Sequence, residues 1–130
     1  IFKKLKKLNF KIPNIISEKA FVRSNVKMGE GNLVQAGSVI DTGAVLGNNI
    51  SIGINNAVGH KTIIKDHVTI TGSVNLAGEI KIGEGSFLGM NCTVFRSVGK
   101  WCKISAGVTC LEQVSNFSTV LNPKAKIIKL

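Results

Sequence analysis

Every sixth residue from Val22 gives Val22, Met28, Val34, Ile40, Leu46, Ile52, Val58, Ile64, Ile70, Leu76, Ile82, Leu88 and Val94, and none of these is polar. A helix of 3.6 residues per turn would carry a six-residue repeat around its circumference, and a hairpin sheet would interrupt the phase with turn signals. Neither accounts for the pattern. Four places after the apolar residue stands a second small or β-branched one, as at Ala44, Ile50, Thr62, Val68, Val74, Ile80, Ser86 and Cys92. Glycine follows the apolar residue directly at Gly29, Gly47, Gly53, Gly59, Gly83 and Gly89, where a chain turning a tight corner gains from having no Cβ. This is the hexapeptide repeat of a parallel β-helix. Its apolar positions line the interior, three hexads make one triangular coil, and coils stack about 4.8 Å apart, the spacing of paired strands.

The repeat predicts an all-β domain over residues 21–130 with about five coils: 22–39, 40–57, 58–75, 76–93 and a last one reaching Cys110 and beyond. The phase breaks once and resumes at Val98, Ile104 and Cys110, which predicts an irregular corner or small loop within residues 95–101. Residues 1–20 differ in kind. In IFKKLKKLNFK, Phe2, Leu5 and Leu8 fall at helical spacing among lysines, and IPN then breaks the pattern, so this segment reads as a basic amphipathic helix and linker. A membrane-surface helix has the same pattern, but a linker helix packed on its own protein is the commoner case. At the other end LNPKAKIIKL leaves the sheet through Asn122 and Pro123 as a basic tail. The first residue is Ile1 and not Met, which fits a piece of something longer.

Composition narrows the partners. The chain of 130 residues carries 17 Lys and Arg against 7 Asp and Glu, a net charge of +10, which favours an anionic partner or simply a solubilising surface. Nucleic acid is disfavoured, because there is no Tyr, one Trp and no interleaving of basic and aromatic residues. Cys92, Cys102 and Cys110 are odd in number, lack zinc-like spacing and sit among core-type residues, so they read as free buried thiols in a reducing compartment. No apolar run approaches the roughly 20 residues needed to span a bilayer, and no signal peptide is visible. The expected location is the cytoplasm, without membrane insertion.

The segments NNAVGHKTIIKDHVTI (55–70), SVNLAGEIKIGEGSFLGMNCTVF, ISAGVT and NPKAKIIK together resemble the sialic acid O-acetyltransferase and bacillosamine-pathway N-acetyltransferase family of NeuD and PglD type. The resemblance covers about residues 12–130. It implies a left-handed β-helix following an N-terminal Rossmann-like sugar-binding domain, a homotrimer, and acetyl-CoA lying between neighbouring subunits. It implies an enzyme that acetylates an amino or hydroxyl group of a small-molecule sugar, such as a nucleotide-linked amino sugar or a sialic acid.

Residue by residue, His60 matches the family's general base, a role suited to an imidazole near its ordinary pKa. By position alone it is equally an exposed corner histidine. His67 matches a histidine that contacts acetyl-CoA, and its alternative is a solvated polar residue. Gly78, 18 residues after His60, falls one coil along on the same edge, where a backbone N–H meets the thioester oxygen. Gly89 and Met90 match cofactor contacts of the next coil, and Ala106 stands where the family often has glycine. Lys103, Lys124 and Lys126 are placed to attract the cofactor's phosphates or simply to make a basic surface.

Three departures stand out. The family usually has an acidic residue after the base, whereas His60 is followed by Lys61, whose ammonium would weaken it. The spacing from His60 to His67 is two residues shorter than the family's, with Lys65 in place of a corner glycine. The sugar-binding domain is absent from the sequence shown. Of two other classes, a γ-type carbonic anhydrase needs three histidines and the chain has 2, whereas an inactive β-helix serving as a trimerisation module stays open.

Overall fold

The computed structural model describes residues 1–123; Lys124, Lys126 and the basic tail expected around them lie outside the described residues. The chain forms a left-handed parallel β-helix in which two-residue strands repeat on three faces. The first face stacks β1 (Ile15–Ile16), β4 (Leu33–Val34), β7 (Ser51–Ile52), β10 (Thr69–Ile70), β13 (Phe87–Leu88), β15 (Lys103–Ile104) and β17 (Thr119–Val120). The second stacks β2 (Phe21–Val22), β5 (Val39–Ile40), β8 (Ala57–Val58), β11 (Asn75–Leu76), β14 (Thr93–Val94) and β16 (Thr109–Cys110). The third stacks β3 (Lys27–Met28), β6 (Val45–Leu46), β9 (Ile63–Ile64) and β12 (Lys81–Ile82), continued by bridges at Val98 and Val114. Seven strands on the first face enclose six turns, one more than the five expected.

The register explains the extra turn. Partners lie 18 residues apart through Thr69↔Phe87, but Phe87 pairs with Lys103 and Lys103 with Thr119, a step of 16. The phase therefore breaks twice, because two hexads have lost two residues each: Val94 to Val98 and Cys110 to Val114 are both steps of four. Both losses fall on the edge between the second and third faces. No loop protrudes within residues 95–101; the irregularity expected there is a shortened corner.

Inside, the sixth-residue column is sealed: Val34, Ile40, Ile52, Ile64, Ile70, Ile82, Leu88 and Val94 are at most 1% exposed. The second column also points inward and holds five buried polar residues, Asn32, Ser38, Asn56, Thr62 and Ser86. Each serves the backbone of a corner, as a buried polar group must. Asn56 donates from Nδ2 to the carbonyls of Gly53 (2.8 Å) and Thr71 (2.7 Å) and accepts from Val74 N–H (2.8 Å).

The glycines after the apolar column serve close approach and not a left-handed backbone. A Cβ on Gly59 would stand 2.5 Å from the nitrogen of Gly78 on the next coil. The left-handed residue is instead the third after the apolar one: Gly31, Gly37 and Gly43 early on, but Lys61 (φ +54°) and His67 (φ +62°) where a side chain is present. Such non-glycine residues are mildly strained. They are held by backbone bonds to the preceding coil, Lys61 N–H to Thr42 O (2.8 Å) and His67 N–H to Asn48 O (2.9 Å).

The helix α1 (Phe2–Lys7) is confined to six residues. It folds back on the edge between the third and first faces, where Lys6 pairs with Glu30 at 2.6 Å and Phe2 meets the ring of His67 edge-on. Strand pairing begins at Ile15, within the segment read as linker. Among the described residues no helix is long and apolar enough to cross a membrane.

Candidate active site

The triangular section distributes the candidate residues over three edges. His60 and Gly78 lie on the edge between the second and third faces, Gly89, Met90 and Ala106 on that between the first and second, and His67 on that between the third and first.

At the first of these edges, β8 ends with inward Val58, and the corner turns so that His60 points out and is exposed. Its ring lies flat against the next coil: a Cβ on Gly78 would be 2.6 Å from Cδ2 and 2.8 Å from Cε1 of the imidazole, with Nε2 also at that contact. Gly78 is thus a glycine because the imidazole occupies the place of its side chain. Among the described residues no side chain or backbone group hydrogen-bonds the His60 ring, and none accepts from the N–H of Gly78. A ring nitrogen free to take a proton and a free backbone N–H therefore stand side by side.

The charge around this pair has a feature the sequence reading missed. The carboxylate of Glu79, one coil on from Lys61, accepts a hydrogen bond from the Lys61 ammonium at 3.1 Å. Glu79 N–H donates to the His60 carbonyl at 2.8 Å. The Lys61 hydrogen bond, then its charge, then the charge of His60 hold the Glu79 carboxyl below its ordinary value. The ammonium that follows His60 in the sequence is thus paired with a carboxylate. The signal was legible: Glu79 follows Lys61 by one 18-residue turn.

On the second edge Gly89 and Ala106 are brought together, since a Cβ on Gly89 would be 2.5 Å from the Ala106 nitrogen. Met90 is exposed (54%) and its carbonyl accepts from Gly107 N–H at 2.8 Å. The N–H groups of Met90 and Ala106 have no acceptor among the described residues. On the third edge His67 is engaged: Asn49 Nδ2 lies 2.8 Å from its Nδ1, and Phe2 packs at 5.7 Å between ring centroids. Since an amide nitrogen only donates, Nδ1 is the acceptor and the neutral ring carries its proton on Nε2.

All three cysteines are buried and unpaired. Burial first, and the nearby Cys110 second, push the Cys92 thiol up to about 11. A cavity of about 700 Å³ opens on the third face among Lys65, Lys81, Glu84 and Lys100. It contains none of the candidate residues.

No protein-family model and no curated protein sequence matches the chain. Solved structures do. The acetyltransferase domain of PglB from Neisseria gonorrhoeae, in complex with acetyl coenzyme A, superposes with a TM-score of 0.91 at 26% identity, covering 98% of this chain and 63% of that one. A histidine mutant of perosamine N-acetyltransferase from Caulobacter crescentus, in complex with CoA and GDP-perosamine, gives 0.91 at 25% identity over 98% of this chain and 62% of that one. A serine acetyltransferase in complex with cysteine shares the fold alone, at 0.62 and 20% identity. The resemblance to NeuD/PglD-type sugar acetyltransferases thus extends to three dimensions, and the chain spans less than two thirds of the length of the first two neighbours.

Proposed function

We propose that this chain is the β-helical part of an acetyl-CoA-dependent sugar acetyltransferase that works as a homotrimer. The observation that carries the reading is the pairing of an unengaged imidazole with an unengaged N–H, His60 against Gly78, on a fold whose neighbours at 25–26% identity hold acetyl-CoA or CoA. In this mechanism the amino or hydroxyl group of the sugar attacks the thioester carbonyl while His60 Nε2 takes its proton. The carbonyl oxygen becomes an oxyanion and accepts a hydrogen bond from Gly78 N–H. Collapse of the intermediate breaks the C–S bond, and the departing thiolate takes the proton from the imidazolium, leaving CoA as the free thiol.

Gly89, Met90 and Ala106 are the cofactor contacts of this reading, Met90 and Ala106 offering free backbone N–H groups, and His67 presents Nε2 to the same ligand. These groups stand on edges other than that of His60. A second copy that sets its first–second edge beside the His60 edge completes the site, and closed three-fold symmetry repeats it three times. Exposed apolar residues on that second edge and face, Phe21, Val39 and Met90, favour such a contact. The sugar is a nucleotide-linked amino sugar or a sialic acid type. Three unpaired thiols fit a reducing compartment, and we place the reaction in the cytoplasm.

Calorimetry with acetyl-CoA, followed by an assay of CoA thiol release with nucleotide-linked amino sugars including GDP-perosamine, tests the proposal. Saturable binding and acceptor-dependent thiol release are expected. Absence of acetyl-CoA binding would leave an inactive trimerisation module as the function.

A further inference from the structure

We propose that Glu79 is the positioning residue that sets the electrostatic environment of His60, acting from the neighbouring coil to offset Lys61. The inference rests on His60 being the base. A lone ammonium beside an imidazole favours the neutral ring and makes it a poorer proton acceptor; a carboxylate has the opposite effect. Lys61 adjoins His60 in sequence, and its Nζ reaches Glu79 Oε1 at 3.1 Å. The backbone ties the two residues together, because Glu79 N–H donates to the His60 carbonyl. With its carboxyl held below the ordinary carboxylate range, chiefly by the Lys61 hydrogen bond, Glu79 stays ionised throughout the range in which an imidazole accepts protons.

The rest of the edge makes this carboxylate matter. Within two coils of His60 the charged groups on the same edge are Arg23, Lys61 and Arg96 against Asp41 and Glu79, three cations to two anions. Asp41 already lies 3.7 Å from Arg23. Removing Glu79 leaves three cations against one anion, just where the imidazole must gain a positive charge as the acceptor is deprotonated. The Lys61–Glu79 pair is more than 60% exposed on both sides, so it contributes little to the stability of the fold. Its effect falls on the neighbouring base.

The test compares wild type with Glu79→Gln, Lys61→Met and the double variant, by the pH profile of acetyl transfer and by NMR titration of the two imidazoles. In Glu79→Gln the plateau of kcat/KM should fall by about 3- to 10-fold, and both the acid limb and the His60 titration should move to lower pH. Lys61→Met should move them the other way, and the double variant should return close to wild type. His67, on another edge, should titrate unchanged, and the melting temperature should stay constant. A rate that falls while the His60 titration stays put would overturn the role of Glu79. A His60 titration that moves while the rate profile does not would overturn His60 as the base, and with it this inference. Unchanged titration and unchanged rate in Glu79→Gln would overturn the inference while leaving the acetyltransferase reading intact.

Discussion

The two histidines of this chain stand seven residues apart on the same solenoid, yet their surroundings have little in common. His60 is exposed, its ring has no hydrogen-bond partner among the described residues, and it lies against a glycine whose N–H is likewise free. His67 sits in a left-handed corner with Nδ1 taken by Asn49 and one ring edge covered by Phe2 of α1. The difference teaches that the stacking of coils, and not composition, sets the surroundings of each imidazole. Gly78 above His60 leaves room for the ring, whereas the coil below His67 supplies a side-chain amide that fixes it.

Breaking the comparison at His60 should have the largest effect. His60→Ala is expected to lower the acetyl-transfer rate by about 10²- to 10⁴-fold, the usual range for a general base, with acetyl-CoA affinity by calorimetry almost unchanged. Gly78→Ala comes next: its methyl group would displace the imidazole, and a misplaced base should cost about 10²-fold in kcat with the fold retained. His67→Ala should show the reverse balance, a several-fold rise in KM for acetyl-CoA with kcat within about twofold. The same variant frees Phe2 and Asn49, so amide exchange should quicken in residues 2–7.

The smallest expected effect concerns the thiols. Because the Cys92 thiol is raised to about 11 from 9.0, the unfolded chain gives up that proton first, so its contribution to stability is intact below pH 9 and lost between 9 and 11. Melting temperature should therefore fall slightly over that interval, and Cys92 should resist alkylation at pH 8 unless the chain is unfolded. Rapid alkylation of the native protein would place the thiol outside the core.

Most of the fold was legible because a β-helix writes its register directly into the sequence. A period of six with apolar residues in one phase fixes which side chains enter the prism, and the columns from Val34 to Val94 are sealed as that phase requires. The second break, at Cys110 to Val114, is ambiguous in the sequence because only Val114 and Val120 carry the new phase before Lys126 ends it, whereas Val98, Ile104 and Cys110 mark the first. The same ambiguity hid the sixth turn. At the site, a single 18-residue step leads from His60 to Gly78, and the same step leads from Lys61 to Glu79, so the pairing of Lys61 with a carboxylate is written in the sequence as well. The engagement of His67 by Phe2 was beyond sequence reasoning, since nothing local tells which edge a six-residue helix will cover.

The central claim is that one site is built from the His60 edge of one copy and the Ala106 edge of another. Subunit mixing tests it most directly. His60→Ala and Ala106→Trp are each expected to be nearly inactive, the second because an indole would fill the cofactor groove. Co-refolded in equal amounts, they should regain about a quarter of wild-type acetyl transfer, since one interface in four combines an intact His60 with an intact Ala106 from the neighbour. Mixed protein as inactive as its two components, at a mass showing that copies have associated, would contradict the shared site.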